Sequence, residues 1–300
     1  MLQSRNPGEG GHKLVRRIRL LCLLTALAGT TLLVSPADAN VSTSAVGCPS
    51  AHFIVCGSGQ QRTLHISHTI TAVRLPKTSA TSAAAATNDV SCRYTTASYV
   101  DGGSATQTSL YGVDDRLGDN VYSNISQFLP STKTGFAWAN VGVEIYLYGF
   151  PSGSSLTFKY PWHASGHLYA DADYGAHGDV NINVIATGWD KEAGVKNLNK
   201  VYSNSLAADG IYPTGSSKDR AIGVDYNSTT NGVEMGTIHN QHHYVSYLHA
   251  RTNTDVNGPA SGMGSGHAEG NFFSTNYTYR AWVDNFRWIF HLPSGWSIGC

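Results

Sequence analysis

From Val90 onward, apolar and polar residues alternate in short runs broken by Gly, Asn, Ser and Pro, a period of two that predicts half-buried strands. Val143, Ile145 and Leu147 fall on one face of an extended segment, and Glu144, Tyr146, Tyr148 and Phe150 on the other. Leu168, Ala170, Ala172 and Tyr174 alternate with His167, Tyr169, Asp171 and Asp173. After Gly175-Ala176-His177-Gly178 the alternation resumes, with Val180, Ile182, Val184 and Ala186 set against Asn181, Asn183 and Thr187. The pair predicts a β-hairpin with one buried and one polar face. A second hairpin is expected from Arg220 to Tyr226 and Gly232 to Ile238, across the turn residues Asn227 to Asn231. A long strand follows from His243 to Thr254, with Tyr244, Leu248 and Ala250 facing in and His243, Val245, Tyr247, His249 and Arg251 facing out. Another runs through Tyr277 to Phe290, and Thr63 to Arg74 is also strand-like. Only residues 113 to 128 and 190 to 208 leave room for a short helix each.

Many short strands with Gly-rich turns favour a sandwich over an α/β fold. The expected architecture is all-β: a two-sheet antiparallel β-sandwich, jelly-roll-like, with little helix, over residues 90 to 300. Residues 40 to 89 read as an N-terminal extension rich in Ser, Thr and Ala, with a low-complexity linker from Lys77 to Asn88.

Residues 1 to 39 read as a secretory signal peptide. Lys13, Arg16, Arg17 and Arg19 precede an apolar run from Leu20 to Val34, and Ala37-Asp38-Ala39 supplies the small-residue cleavage site. The run is shorter than the ~20 residues a membrane helix needs, so no transmembrane segment is expected in the mature chain, which should be secreted and extracellular. Removing it leaves 15 Lys+Arg against 18 Asp+Glu. No basic cluster remains to neutralise phosphates, which argues against a nucleic-acid partner. Four cysteines also remain, an even number that reads as a disulfide framework. The pairing expected among the three possible is Cys48 with Cys56 and Cys92 with Cys300.

Several constellations carry candidate chemistry. Tyr169, Asp171, Asp173, Asn181 and Asn183, if gathered on one hairpin face, offer carboxylates, amides and an aromatic ring suited to sugar hydroxyls. Trp282, flanked by Arg280 and Asp284 and opposite an apolar face, is a second candidate contact. Asp114, Asp115 and Asp119 are the densest acidic group and would suit calcium, though a surface turn neutralised by Arg116 explains them as well. His239 and His242 form an H-x-x-H pair that can meet a metal on a tight turn but points to opposite faces on a strand. For catalysis, Glu144 beside Tyr146 and Tyr148 fits a glycan-active cleft and equally a hydrogen-bonded core carboxylate. Tyr247, His249 and Arg251 project from one face as a lyase would need: arginine to neutralise a uronate, histidine or tyrosine as base and acid. These features point first to a secreted binding or surface-interaction protein with a polysaccharide or cell-surface glycan as partner. A secreted polysaccharide lyase or glycoside hydrolase is the alternative, and a structural coat or pore-forming protein the third.

Overall fold

The computed structural model describes residues 53–57, 62–76, 88–104, 107–113, 116–128, 131–211, 214–226, 232–258, 264–272 and 279–300, with backbone only for 53–63 and 103–130. Strands take up 77% of the interpretable residues, and no helix is present among them. The strands are β1 (Phe53–Gly57), β2 (Arg62–His65), β3 (Ser67–Arg74), β4 (Asn88–Tyr94), β5 (Tyr99–Ser104), β6 (Gln107–Val113) and β7 (Arg116–Phe128). They continue as β8 (Thr132–Tyr148), β9 (Ser155–Lys159), β10 (Trp162–Ala172), β11 (His177–Asp190), β12 (Val195–Asp209) and β13 (Ser216–Tyr226). The last are β14 (Val233–Thr237), β15 (His242–Asn257), β16 (Ser265–Asn271), β17 (Arg280–Val283), β18 (Phe286–Leu292) and β19 (Trp296–Ile298). Both segments that left room for a helix are strands, β7 and β12. In the edge strand β12 the apolar Val195, Leu198 and Val201 are exposed and the register shifts opposite Ala186 and Thr187, so its period of two is hard to see in the sequence.

An eight-stranded sheet runs β12-β11-β15-β8-β3-β19, with β5 joining β8 to β2. A seven-stranded sheet runs β1-β6-β7-β16-β10-β13, with β17 bridging β7 and β10, and a four-stranded sheet runs β14-β9-β18-β4. Pairing is antiparallel except between β3 and β8. The two larger sheets face each other as an all-β sandwich. Leu168, Ala170 and Ala172 of β10 with Ala268 of β16 meet Val180, Ile182 and Val184 of β11 and Leu248 and Ala250 of β15, all buried in one core. The four-stranded sheet adds an aromatic end to that core, where Phe158 and Trp288 meet in a T-shaped pair with ring centres 4.0 Å apart and Phe150 stacks on Phe290 at 5.4 Å. Cys92 of β4 is bridged to Cys300, as expected from the cysteine count. Cys48 lies outside the described residues, and Cys56 is placed only as a backbone position in β1, opposite Ser109. Residues 53–74, read as part of an extension, supply β1, β2 and β3 to the two larger sheets.

Neither predicted hairpin forms, although every strand assigned to them exists. β10 pairs with β13, β16 and β17, while β11 pairs with β12 and β15 in the opposite sheet. The chain between them is an arch that crosses the sandwich. Tyr174 and Gly175 both take left-handed conformations, with φ of 45° and 84°, and Ala176 N–H closes the turn on Asp173 O at 2.8 Å. Likewise β13 pairs with β10 and β14 with β9, so residues 220–238 also change sheet. Alternation fixes which way a side chain points and leaves the partner strand open.

Candidate functional site

Because β10 and β11 lie in different sheets, their outward residues decorate opposite surfaces of the sandwich. The expected constellation is therefore divided: Tyr169 and Asp171 belong to the seven-stranded sheet, with Asp173 just beyond it at the start of the arch, and Asn181 and Asn183 belong to the eight-stranded one.

On the seven-stranded sheet the outward residues are largely engaged with one another. Asp173 accepts hydrogen bonds from the backbone N–H and hydroxyl of Ser265, which anchors the arch. Tyr169 packs edge-on against His267 and receives a 3.3 Å bond from Ser217. Trp282 is half-buried, stacked on His163 at 4.9 Å with the Arg280 guanidinium 4.3 Å from its ring. His163 in turn bonds to Asp225 and Asp284, and His167 to Asp219 at 2.6 Å.

The outer face of the eight-stranded sheet holds a cleft of about 510 Å³. Its lining comes in cross-strand rows set by register: Thr134, Asp255 and Asp179, then Phe136, Asn253, Asn181 and Ser205, with Arg251 at one end. Phe136 is 44% exposed, an aromatic ring left open on a polar floor. Arg251 Nε donates to Asn253 Oδ1 at 2.7 Å and Asn183 donates to Asn181, so neighbours along each strand fix one another's rotamers. A guanidinium has five donors and an amide both donor and acceptor groups, so this bonding leaves capacity for a ligand. Phe136, Asn253, Asp179 and Asp255 were not singled out in the sequence, where they are spread over three strands, β8, β11 and β15, that only the pairing brings side by side.

Further along the same face the surface closes. Asn140 and His249 form the next row, with Asn140 Oδ1 and His249 Nδ1 2.6 Å apart. Burial first, then the positive charges of Arg251 and Lys196, hold the His249 imidazole down at about 4 from its ordinary 6.5. A proton that binds the unfolded chain near 6.5 is therefore refused by the folded one until about 4. Stability is complete above about pH 6.5 and falls as the pH drops through that window, by about 3 kcal/mol for this group. Urea unfolding at pH 7 and pH 4.5 should show a loss that His249→Gln reduces, whereas equal losses in both proteins would remove His249 as the cause.

Tyr247 occupies the next row and is buried against Tyr99, ring centres 5.6 Å apart, over Gly142. A Cβ on Gly142 would lie 2.2 Å from Ser246 O, so only glycine lets β8 and β15 approach there. Burial raises the hydroxyl pKa of both tyrosines. Glu144, six register positions from Arg251 on β15 and about 20 Å away at ~3.3 Å per residue, is 3% exposed. Ser67 Oγ donates to it at 2.8 Å and Lys191 Nζ at 3.0 Å. The candidate catalytic residues thus do not share a cleft: of Glu144, Tyr247, His249 and Arg251, only Arg251 lines it.

At the far end of this sheet the structure gathers Asp190, His239 and His242, with one ligand atom from each within 4.8 Å of the others. Among the candidate calcium ligands, Asp114 and Asp115 lie outside the described residues. Asp119 is placed only as a backbone position in β7, opposite Leu110 and Ala281.

No family model matches the chain, and no curated protein matches it. Two solved structures show faint likeness. One is of the Gx strain of infectious bursal disease virus, at 8% identity over 81% of this chain and 66% of that one, with a TM-score of 0.16. The other is of the Gt strain, at 8% identity over 80% of this chain and 81% of that one, with a TM-score of 0.10. Likeness at this level carries no argument about fold or function.

Proposed function

We propose that this protein is a secreted β-sandwich binding module that holds a glycan in the cleft on the outer face of its eight-stranded sheet. The cleft itself carries the reading. Its size falls in the range of small-ligand sites, about 300–1,000 Å³, and its floor combines amides, carboxylates and a guanidinium with one exposed aromatic ring. Sugar hydroxyls both donate and accept, which matches Asn181, Asn253 and Ser205. The apolar face of a pyranose ring matches Phe136. Glu144, the buried glutamate of this face, is held in an ion pair away from the cleft, which favours binding over hydrolysis. The N-terminal leader pattern supports export, with which the disulfide is compatible.

The test is retention of the purified protein on a panel of soluble and insoluble polysaccharides, with released reducing and unsaturated ends measured in parallel. Retention without product, weakened about tenfold by Phe136→Ala with little change in melting temperature, is the expected result. Product formation would replace this reading with the enzyme one, and absence of both signals would leave a coat or pore role in its place.

A further inference from the structure

Asp190 ends β11, and His239 and His242 stand in the loop between β14 and β15 and on its first residue, so two separate turns meet at one point. Asp190 is 3% exposed, a depth at which a carboxylate needs a positive or hydrogen-bonding partner. His239 Nδ1 lies 3.1 Å from Asp190 Oδ2, and His242 Nδ1 lies 2.9 and 3.1 Å from the two carboxylate oxygens. The imidazole rings are 5.0 Å apart.

The surroundings fix this arrangement from outside the triad. Ala193 N–H donates to Asp190 Oδ1 at 3.0 Å, and the Tyr244 hydroxyl also bonds to that carboxylate. Tyr244, buried at 1% exposure, accepts the His239 backbone N–H at 2.9 Å. Asn240 clamps both backbone groups of Phe150, at 2.8 and 2.9 Å, and Gln241 N–H reaches Leu147 O at 2.7 Å. Between the two histidines Gln241 takes a φ of 65°, a left-handed conformation that residues other than glycine rarely adopt. That residue turns the H-x-x-H pair out of the extended geometry in which its members would point apart.

We infer that Asp190, His239 and His242 form a binding site for a divalent transition metal, Zn²⁺ by the chemistry of its donors, with a fourth position open to solvent. Two imidazole nitrogens and one carboxylate oxygen are a borderline donor set that suits zinc better than calcium or magnesium. Ligands at 2.0–2.1 Å on a tetrahedral ion lie about 3.3 Å apart, close to the 3.1 Å that separates Asp190 Oδ2 from each Nδ1, and the three ligand atoms all lie within 4.8 Å of one another. Each imidazole coordinates through Nδ1 with its proton on Nε2, and Asp190 as the carboxylate. The His239 side chain, 55% exposed, leaves the ion accessible. Tyr244 and Ala193 are the outer partners that orient the carboxylate. The site lies nine residues from Asn181 along β11, about 30 Å at ~3.3 Å per residue, so it is independent of the glycan cleft.

The test is Zn²⁺ titration of the metal-stripped protein by calorimetry, with Co²⁺ absorption as a second readout of four-coordinate geometry. One equivalent is expected, with affinity lowered at least tenfold by His239→Ala or His242→Ala and unaffected by His163→Ala. Saturating Zn²⁺ should raise the melting temperature of the parent protein by about 5 °C and that of His239→Ala by much less. His239 is exposed, so its variant keeps the test open if Asp190→Asn fails to fold. Equal Zn²⁺ affinity in parent and His239→Ala, or a Co²⁺ spectrum unchanged by that substitution, overturns the assignment.

Discussion

Cys300→Ser will lower the stability of the folded protein by about 2–5 kcal/mol, the range observed when native disulfides are removed. The bridge closes a loop of 208 residues, so losing it releases a large closure entropy in the unfolded chain. It also joins β4 of the four-stranded sheet to the residues just beyond β19 of the eight-stranded one, with Cα atoms 5.6 Å apart. Urea unfolding of the oxidised parent, the reduced parent and the variant gives the comparison. The reduced parent and Cys300→Ser should unfold together at lower denaturant. Coincidence of all three curves would mean that the bridge contributes nothing to the fold.

Lys191→Ala should cost about 3–5 kcal/mol, because it strands the carboxylate of Glu144 in the interior with Ser67 as its remaining side-chain donor. The penalty comes from an unpaired buried charge, so replacing that charge should relieve it. Glu144→Gln in the Lys191→Ala background is therefore expected to recover most of the loss, a coupling that a double-mutant cycle measures directly. A double variant no more stable than Lys191→Ala would show that the pair matters only through packing.

Much of the architecture is legible in the residue pattern, because a buried strand face writes itself as every second residue. β10 alternates from Trp162 to Ala172 and β11 from His177 to Ala186 with the inward faces the pattern predicts, whereas Tyr174, expected on the inward face, is 41% exposed in the arch between them. What the pattern lacks is a label for the partner strand. Asp173-Tyr-Gly-Ala176 serves an arch as readily as a hairpin, and the difference moves Asn181 and Asn183 to the opposite surface from Asp171. Direction was also legible for Val245 and Tyr247, which point outward from the sandwich as expected. Yet Tyr99, packing from β5 together with Trp189, covers them as a second small cluster. The metal triad shows the same limit. His239 and His242 stand out as a pair, but Asp190 is 49 and 52 residues away and only the fold brings it to them. Most histidines among the described residues are partnered: eight of them lie within 4.0 Å of a carboxylate, including His177 between Asp179 and Asp209.

The division of surfaces is the central claim, since it assigns ligand contact to the eight-stranded sheet and a self-engaged polar lattice to the other. Calorimetric titration with the best oligosaccharide from the polysaccharide panel, comparing Asn253→Ala with Trp282→Ala, tests it most directly. Asn253→Ala should weaken binding at least tenfold, about 1.4 kcal/mol, while Trp282→Ala leaves it unchanged. Loss of binding in Trp282→Ala with full affinity in Asn253→Ala would contradict it and move the site to the seven-stranded sheet.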